Sequence, residues 1–185
     1  MMTEISLNVL DVSENSTRAG ASIVTILVNA DTSADKLTIV IADNGCGMTP
    51  EQAAHVTDPF FTTRTTRKVG LGIPFFKYAA ESTGGSFHIE SEPGKGTTVT
   101  AVFGLSHIDR MPLGDMNATI HNLIVYHPDT DFLYTYTYND ASFTLDTREM
   151  REILGEIPLN TPEVSAYIME YLKENQQETD GGALI

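Results

Sequence analysis

Asp43-Asn-Gly-Cys-Gly-Met48 is followed by Gly70-Leu-Gly72 and then by Gly94-Lys-Gly-Thr-Thr98. All three come after a helix-like stretch, Leu10 to Ala21, that carries Asp11, Glu14 and Asn15. One glycine patch would mark only a backbone position that needs a positive φ or a close approach. Three in this order, with a carboxylate and an amide embedded, read as a nucleotide site.

Working outward, Ile5, Val9 and Val12 recur at helical spacing and predict an amphipathic helix to about Arg18, with Thr3 as its cap. Ser22 to Asn29 and Lys36 to Ala42 read as two strands around a turn at Asp31 to Asp35, the second running straight into Asp43. Thr49-Pro50 opens a short helix to His55. The basic stretch from Asp58 to Val69 is the expected lid, and a helix from Leu71 to about Ser82 follows it. Ser86 to Ser91 and Thr97 to Phe103 are strands around the Gly94 turn. This organisation predicts a nucleotide-binding unit over residues 1–105 and a small α/β appendage over 106–185. The appendage begins with a linker at His107 to Pro112. A helix over 115–126, a hairpin over 131–146 turning at Asn139-Asp140, and helices over 147–154 and 161–174 follow, with a frayed tail from Gln176.

Asp11 and Asn15 are four residues apart, so on a helix they share a face and could jointly hold a magnesium ion and a water. A carboxylate there could act as general base toward that water. Asp43, at a strand end, is placed to accept from an exocyclic amine such as that of adenine. Gly45 and Gly47 let the backbone pass beside a flat ring. Gly70 and Gly72 precede a helix whose first amides favour phosphate oxygens. No GxxxxGK[ST] sequence and no Rossmann spacing is present, which argues against those two nucleotide folds.

The formal net charge of −14 argues against a nucleic-acid partner, because binding phosphates requires lysines and arginines to neutralise them. No apolar run approaches the roughly 20 residues that span a bilayer. The single Cys46 and the absence of a signal-like N-terminus make a reducing cytoplasm the expected location.

Leu10 to Ala21, DNGCGM, DPFFTT, GLGI and SEPGKGTTVT resemble the successive boxes of the GHKL family, which joins gyrase, heat-shock chaperones, histidine kinases and MutL. The resemblance covers about residues 5 to 104. It implies an α/β Bergerat fold, an α+β two-layer sandwich that binds ATP with magnesium. Asn15 would be the magnesium ligand, Asp43 the partner of the adenine amine, and Gly45 and Gly47 the base lining. Phe60 and Phe61 would belong to the lid hinge, and Gly70, Leu71 and Gly72 would offer amides to phosphates. Thr97 or Thr98 would lie behind the adenine. Asp11 stands where hydrolysing members carry a glutamate base and is one methylene shorter. ENSTRAGA with DNGCGM is similar to MutL, whereas SEPGKGTT is similar to histidine-kinase ATPase domains.

The resemblance implies a stand-alone, kinase-like regulator that binds ATP or ADP and phosphorylates or switches a separate partner protein. The alternatives are an ATP-driven conformational switch or binding module, and a slow ATPase using Asp11. No histidine in the chain lies in a phosphoacceptor context.

Overall fold

The computed structural model describes residues 3–58 and 72–185. Helix α1 (Ile5–Arg18) leads into the antiparallel strands β1 (Ile23–Asp31) and β2 (Lys36–Asp43), followed by α2 (Pro50–His55) and α3 (Gly72–Glu81). The hairpin β3 (Ser86–Glu92) and β4 (Gly96–Gly104) follows, then α4 (Met116–Tyr126). The chain closes with the hairpin β5 (Asp131–Tyr138) and β6 (Ala141–Asp146), α5 (Thr147–Leu154) and α6 (Pro162–Asp180). Among the described residues six strands form one sheet in the order β3-β4-β2-β1-β5-β6, in which the β1–β5 pair is parallel and the others antiparallel.

Period-2 burial shows why the sheet is two-faced. Val24, Ile26, Val28 and Ala30 of β1 are buried while the residues between them stay partly open, and Phe132, Tyr134 and Tyr136 of β5 repeat the pattern. Helices α1, α3, α4 and α6 cover the buried face. Ile5, Val9 and Val12 of α1, Phe76 of α3, Ile120 and Ile124 of α4, and Ile168 and Leu172 of α6 meet the strands in one core. This is a two-layer α+β sandwich. Among the described residues no helix is long and apolar enough to cross a membrane.

Three local expectations differ from the structure. The cap of α1 is Glu4, not Thr3, and its side chain makes no capping bond. Instead the amides of Ile5 and Ser6 donate to the carbonyls of Pro112 (3.0 Å) and Leu113 (2.8 Å), so a distant segment satisfies the orphan donors of the helix end.

The second difference concerns the C-terminal region. It is built of helices and a hairpin as the pattern predicts, but β5 and β6 extend the same sheet as β1, so residues 131–146 share the core of the preceding part.

The third is the tail. It is not frayed from Gln176: α6 runs on to Asp180, whose buried Oδ2 accepts from the Tyr136 hydroxyl at 2.8 Å and from Gln176 Nε2 at 3.2 Å. Ile185 still accepts a 2.7 Å bond from the Leu113 amide. A polar, glycine-containing sequence reads as solvated; here a buried tyrosine hydroxyl from another element holds it in place.

Candidate functional site

The α1 helix ends over the C-terminal end of β2, where Cys46 N donates to the Ala19 carbonyl at 2.9 Å and ties the turn after β2 to the helix C-terminus. Beside this junction a cavity of about 450 Å³ opens between α1, the 43–48 turn, α3 and β4. Val12, Ile41, Ile73 and Val99 give it an apolar wall, and Asn15, Arg18, Asp43 and Thr97 bring polar groups to it. A mostly apolar cleft of this size with a few convergent polar groups is what a small-ligand site requires.

Asp43 accepts three hydrogen bonds at the cavity. The Ser16 hydroxyl donates to its Oδ2 at 2.6 Å, while the amides of Gly45 and Thr97 donate to Oδ1 at 2.9 and 3.3 Å. Three donors from three elements hold the carboxylate in one orientation at the cavity wall. The β2–β4 register, which places Asp43 opposite Thr97, brings the last of them into reach.

The turn after Asp43 is stacked on the β3–β4 turn. Gly94 N donates to the Cys46 carbonyl at 2.8 Å, and Met48 N to Ser91 Oγ at 2.8 Å. Ser91 Oγ in turn lies 2.8 Å from Thr97 Oγ1. Gly47 has a φ of +65°, and a Cβ there would fall 2.0 Å from the Glu92 carbonyl oxygen, so no larger residue fits.

Asp11 and Asn15 face the same side of α1 as the helical spacing predicts. Asn15 lines the cavity, and its Oδ1 accepts a 2.6 Å hydrogen bond from Arg18 Nη2. Asp11 packs against the start of α3, so closely that a Cβ on Gly72 would lie 1.8 Å from its Oδ2. Glu14, on another face of the helix, is paired with His127 Nε2 at 2.8 Å and so ties α1 to the end of α4.

Not every expected site residue reaches the cavity. Gly47, Gly72 and Thr97 line it, whereas Gly45 sits behind Asp43 against Ala19 and contributes its amide to the carboxylate. Thr98 alternates to the opposite face of the sheet from Thr97. Phe60, Phe61, Gly70 and Leu71, with most of the expected lid, lie outside the described residues. Sequence reasoning missed Ser16 and Arg18; their place beside and one turn beyond Asn15 on the same helix was the available signal. It also gave no role to Met48 and Ile73, although both close stretches it had singled out, DNGCGM and GLGI.

The donor set suits a magnesium nucleotide. Among the described residues no group of three or more His, Cys, Asp or Glu side chains could hold a metal ion. A cation at Asn15 would therefore draw most of its oxygens from phosphates and water, as magnesium does in nucleotide sites.

Residues 1–107 match the family of histidine kinase-, DNA gyrase B- and HSP90-like ATPases, and the chain belongs to that family. The chain is 33% identical over 85 residues to a putative sensor protein of Shewanella frigidimarina, a match covering 45% of this chain and 13% of that protein. It is 37% identical over 97 residues to the sensor protein kinase FleS of Pseudomonas aeruginosa, covering 52% of this chain and 24% of that protein. The chain thus spans at most about a quarter of these relatives. The N-terminal domain of a DNA repair protein shares the fold, with a TM-score of 0.55 at 14% identity over 78% of this chain and 52% of that one. The expected two-layer α+β sandwich of the GHKL family is therefore the fold observed, with an ATPase domain of the histidine-kinase type at its core.

Proposed function

We propose that the cavity binds Mg-ATP and that the chain is a kinase-like regulator which transfers the γ-phosphoryl group to, or switches, a separate protein in the cytoplasm. The observation that carries the nucleotide reading is the Asp43 carboxylate, fixed by Ser16, Gly45 and Thr97 at the wall of an otherwise apolar cleft. A carboxylate accepts from the exocyclic amine of adenine and repels the carbonyl oxygen that guanine carries at the same position. Val12, Ile41, Ile73 and Val99 would bury the ring, and Thr97 would present its hydroxyl behind it. Gly47 keeps the backbone low beside the base.

Asn15 would hold the metal through its Oδ1, which now accepts from Arg18 Nη2; a guanidinium released from it would be free to meet a phosphate oxygen. The amides of Gly70, Leu71 and Gly72 would receive phosphate oxygens. Magnesium, when bound, neutralises charge on the phosphate oxygens and orients them for in-line displacement. Asp11, which packs against Gly72 outside the cavity lining, would take a proton from a hydroxyl or water delivered near the start of α3. Positioning and electrostatics carry the transfer of a phosphoryl group, so these residues need only bind and orient. The acceptor is a histidine or serine of another protein.

Calorimetric titration of ATP and ADP with and without magnesium, run beside an assay for phosphate release, tests the reading. Magnesium-dependent binding of ATP with little turnover is expected. An absence of nucleotide binding would overturn it.

A further inference from the structure

The surface formed by α5 and the first half of α6 leaves large apolar side chains in solvent that the fold does not use. Ile153, Ile157 and Tyr167 are 85%, 53% and 56% exposed, although isoleucine is among the residue types most often buried. The reason lies in how α5 is attached. Of its residues only Thr147 is buried, its hydroxyl donating to Asp131 Oδ1 at 3.0 Å and accepting from the Phe132 amide at 2.8 Å. Arg151 then donates to Asp131 Oδ1 at 2.8 Å and to the Pro128 carbonyl at 2.6 Å. These polar ties, with Met150 and Leu154 packed against the core, fix one side of the helix, and Ile153 faces outward.

The patch is continuous with α6. Tyr171 packs on Tyr167 with ring centroids 6.2 Å apart, and its hydroxyl donates to the Thr144 carbonyl of the edge strand β6 at 3.2 Å. Tyr171 thus meets β6 three residues before α5 begins, and residues 155–161, which include Ile157, join the end of α5 to the start of α6.

The rim is acidic. Glu149, Glu152, Glu156, Glu163 and Glu170 are exposed, and among the described residues none of them forms an ion pair. Of the cations on the two helices, Arg148 is paired with Asp146 at 2.6 Å and Arg151 with Asp131, while Lys173 lies beyond the first half of α6. Exposed isoleucine and tyrosine ringed by unpaired carboxylates is the complement of a segment whose apolar side chains are flanked by lysine and arginine.

We infer that α5 and the first half of α6 form a docking surface for a basic amphipathic helix of a partner protein. Ile153, Ile157 and Tyr167 take its apolar face, and the glutamates of both helices take its cations. The surface is at the β6 edge, three strand spacings or about 14 Å from β2 and the cavity, so it stands independently of the nucleotide reading.

The test uses the full chain and a fluorescein-labelled helical peptide of leucine and lysine with amphipathic spacing, followed by fluorescence anisotropy at low and high salt. Binding is expected to weaken at least about tenfold in the double variant Ile153→Ser, Tyr167→Ser and to change less than about twofold in Leu7→Ser, Tyr78→Ser on the α1 and α3 surfaces. Equal affinity for both variants would reduce the effect to the general attraction of an acidic chain and overturn the assignment, as would no binding at all. A dimer in sedimentation that the Ile153, Tyr167 pair of substitutions dissolves would also overturn it, because a second copy would then be the occupant.

Discussion

The Ser16 hydroxyl donates a 2.6 Å hydrogen bond to Asp43 Oδ2, joining the helix that carries Asn15 to the strand end that faces the cavity. Ser16 is buried, so the donor end of the bond is shielded from water while Asp43 faces the cavity. Ser16→Ala should therefore weaken ATP binding by about tenfold, the worth of a charge-assisted hydrogen bond. Asp43→Asn should reduce the preference for ATP over GTP, since an amide can both donate and accept. Calorimetry with the two nucleotides checks both, and an unchanged ATP preference in Asp43→Asn would refute the base assignment.

Asn15→Ala removes the oxygen to which Arg18 now donates. ATP affinity in this variant should be the same with and without magnesium, while the wild-type protein should bind more tightly when magnesium is present. Titrations in magnesium and in EDTA give the comparison; a persisting magnesium effect would move the metal site elsewhere.

Asp11 and Gly72 are in such close approach that a methyl group on Gly72 would overlap the carboxylate. Gly72→Ala should lower stability by about 1–3 kcal/mol through overpacking and displace Asp11. Asp11→Asn should abolish whatever phosphate release the protein shows and spare nucleotide binding. Release that survives Asp11→Asn at the wild-type rate would remove Asp11 from any role as base.

Gly47→Ala introduces two penalties at once, a left-handed φ and a Cβ inside the Glu92 carbonyl. A loss of roughly 2–4 kcal/mol is expected from backbone strain and overpacking together. Gly94→Ala, at a φ of +77° with no neighbouring atom within 4 Å, carries the first penalty alone. Denaturant melts of both variants should rank Gly47→Ala as clearly the less stable.

Burial, and then the Asp180 carboxylate, push the phenol pKa values of Tyr134 and Tyr136 well up. The folded state therefore holds these protons more tightly than the unfolded chain, and their contribution is fully present below the unfolded value of about 10. Stability should fall as pH rises beyond that point. Among the described residues the buried Tyr134 hydroxyl has no hydrogen-bond partner, so Tyr134→Phe should leave stability at neutral pH unchanged or raise it by up to about 1 kcal/mol, and should make the alkaline decline shallower. Urea midpoints measured from pH 7 to 11 would show either trend; a marked loss at pH 7 would mean that the hydroxyl has a partner after all.

Much of the fold was legible because its signals are local. The helical spacing of Ile5, Val9 and Val12 marks α1, and the turn formers between Asp31 and Asp35 mark the first hairpin, within one or two residues of its observed strands. The site was legible in part. Asp43, Gly47 and Asn15 announce themselves by residue type in a patterned context, whereas Met48 and Ile73 are ordinary apolar residues whose role comes only from where they pack.

By itself the sequence determined the ordered boxes that define the ATPase family, the shared face of Asp11 and Asn15, and the positions where only glycine fits the turns. Each of these follows from spacing along one element or from the conformational range of one residue. The tertiary structure decided the rest. It chose Thr97 over Thr98 for the cavity through strand register, closed the first turn of α1 with the carbonyls of Pro112 and Leu113, and set Ser16 against Asp43. It also placed β5 beside β1 and bound Asp180 to Tyr136. These depend on which distant segments are pressed together when apolar surface is buried, and no local pattern records that pairing.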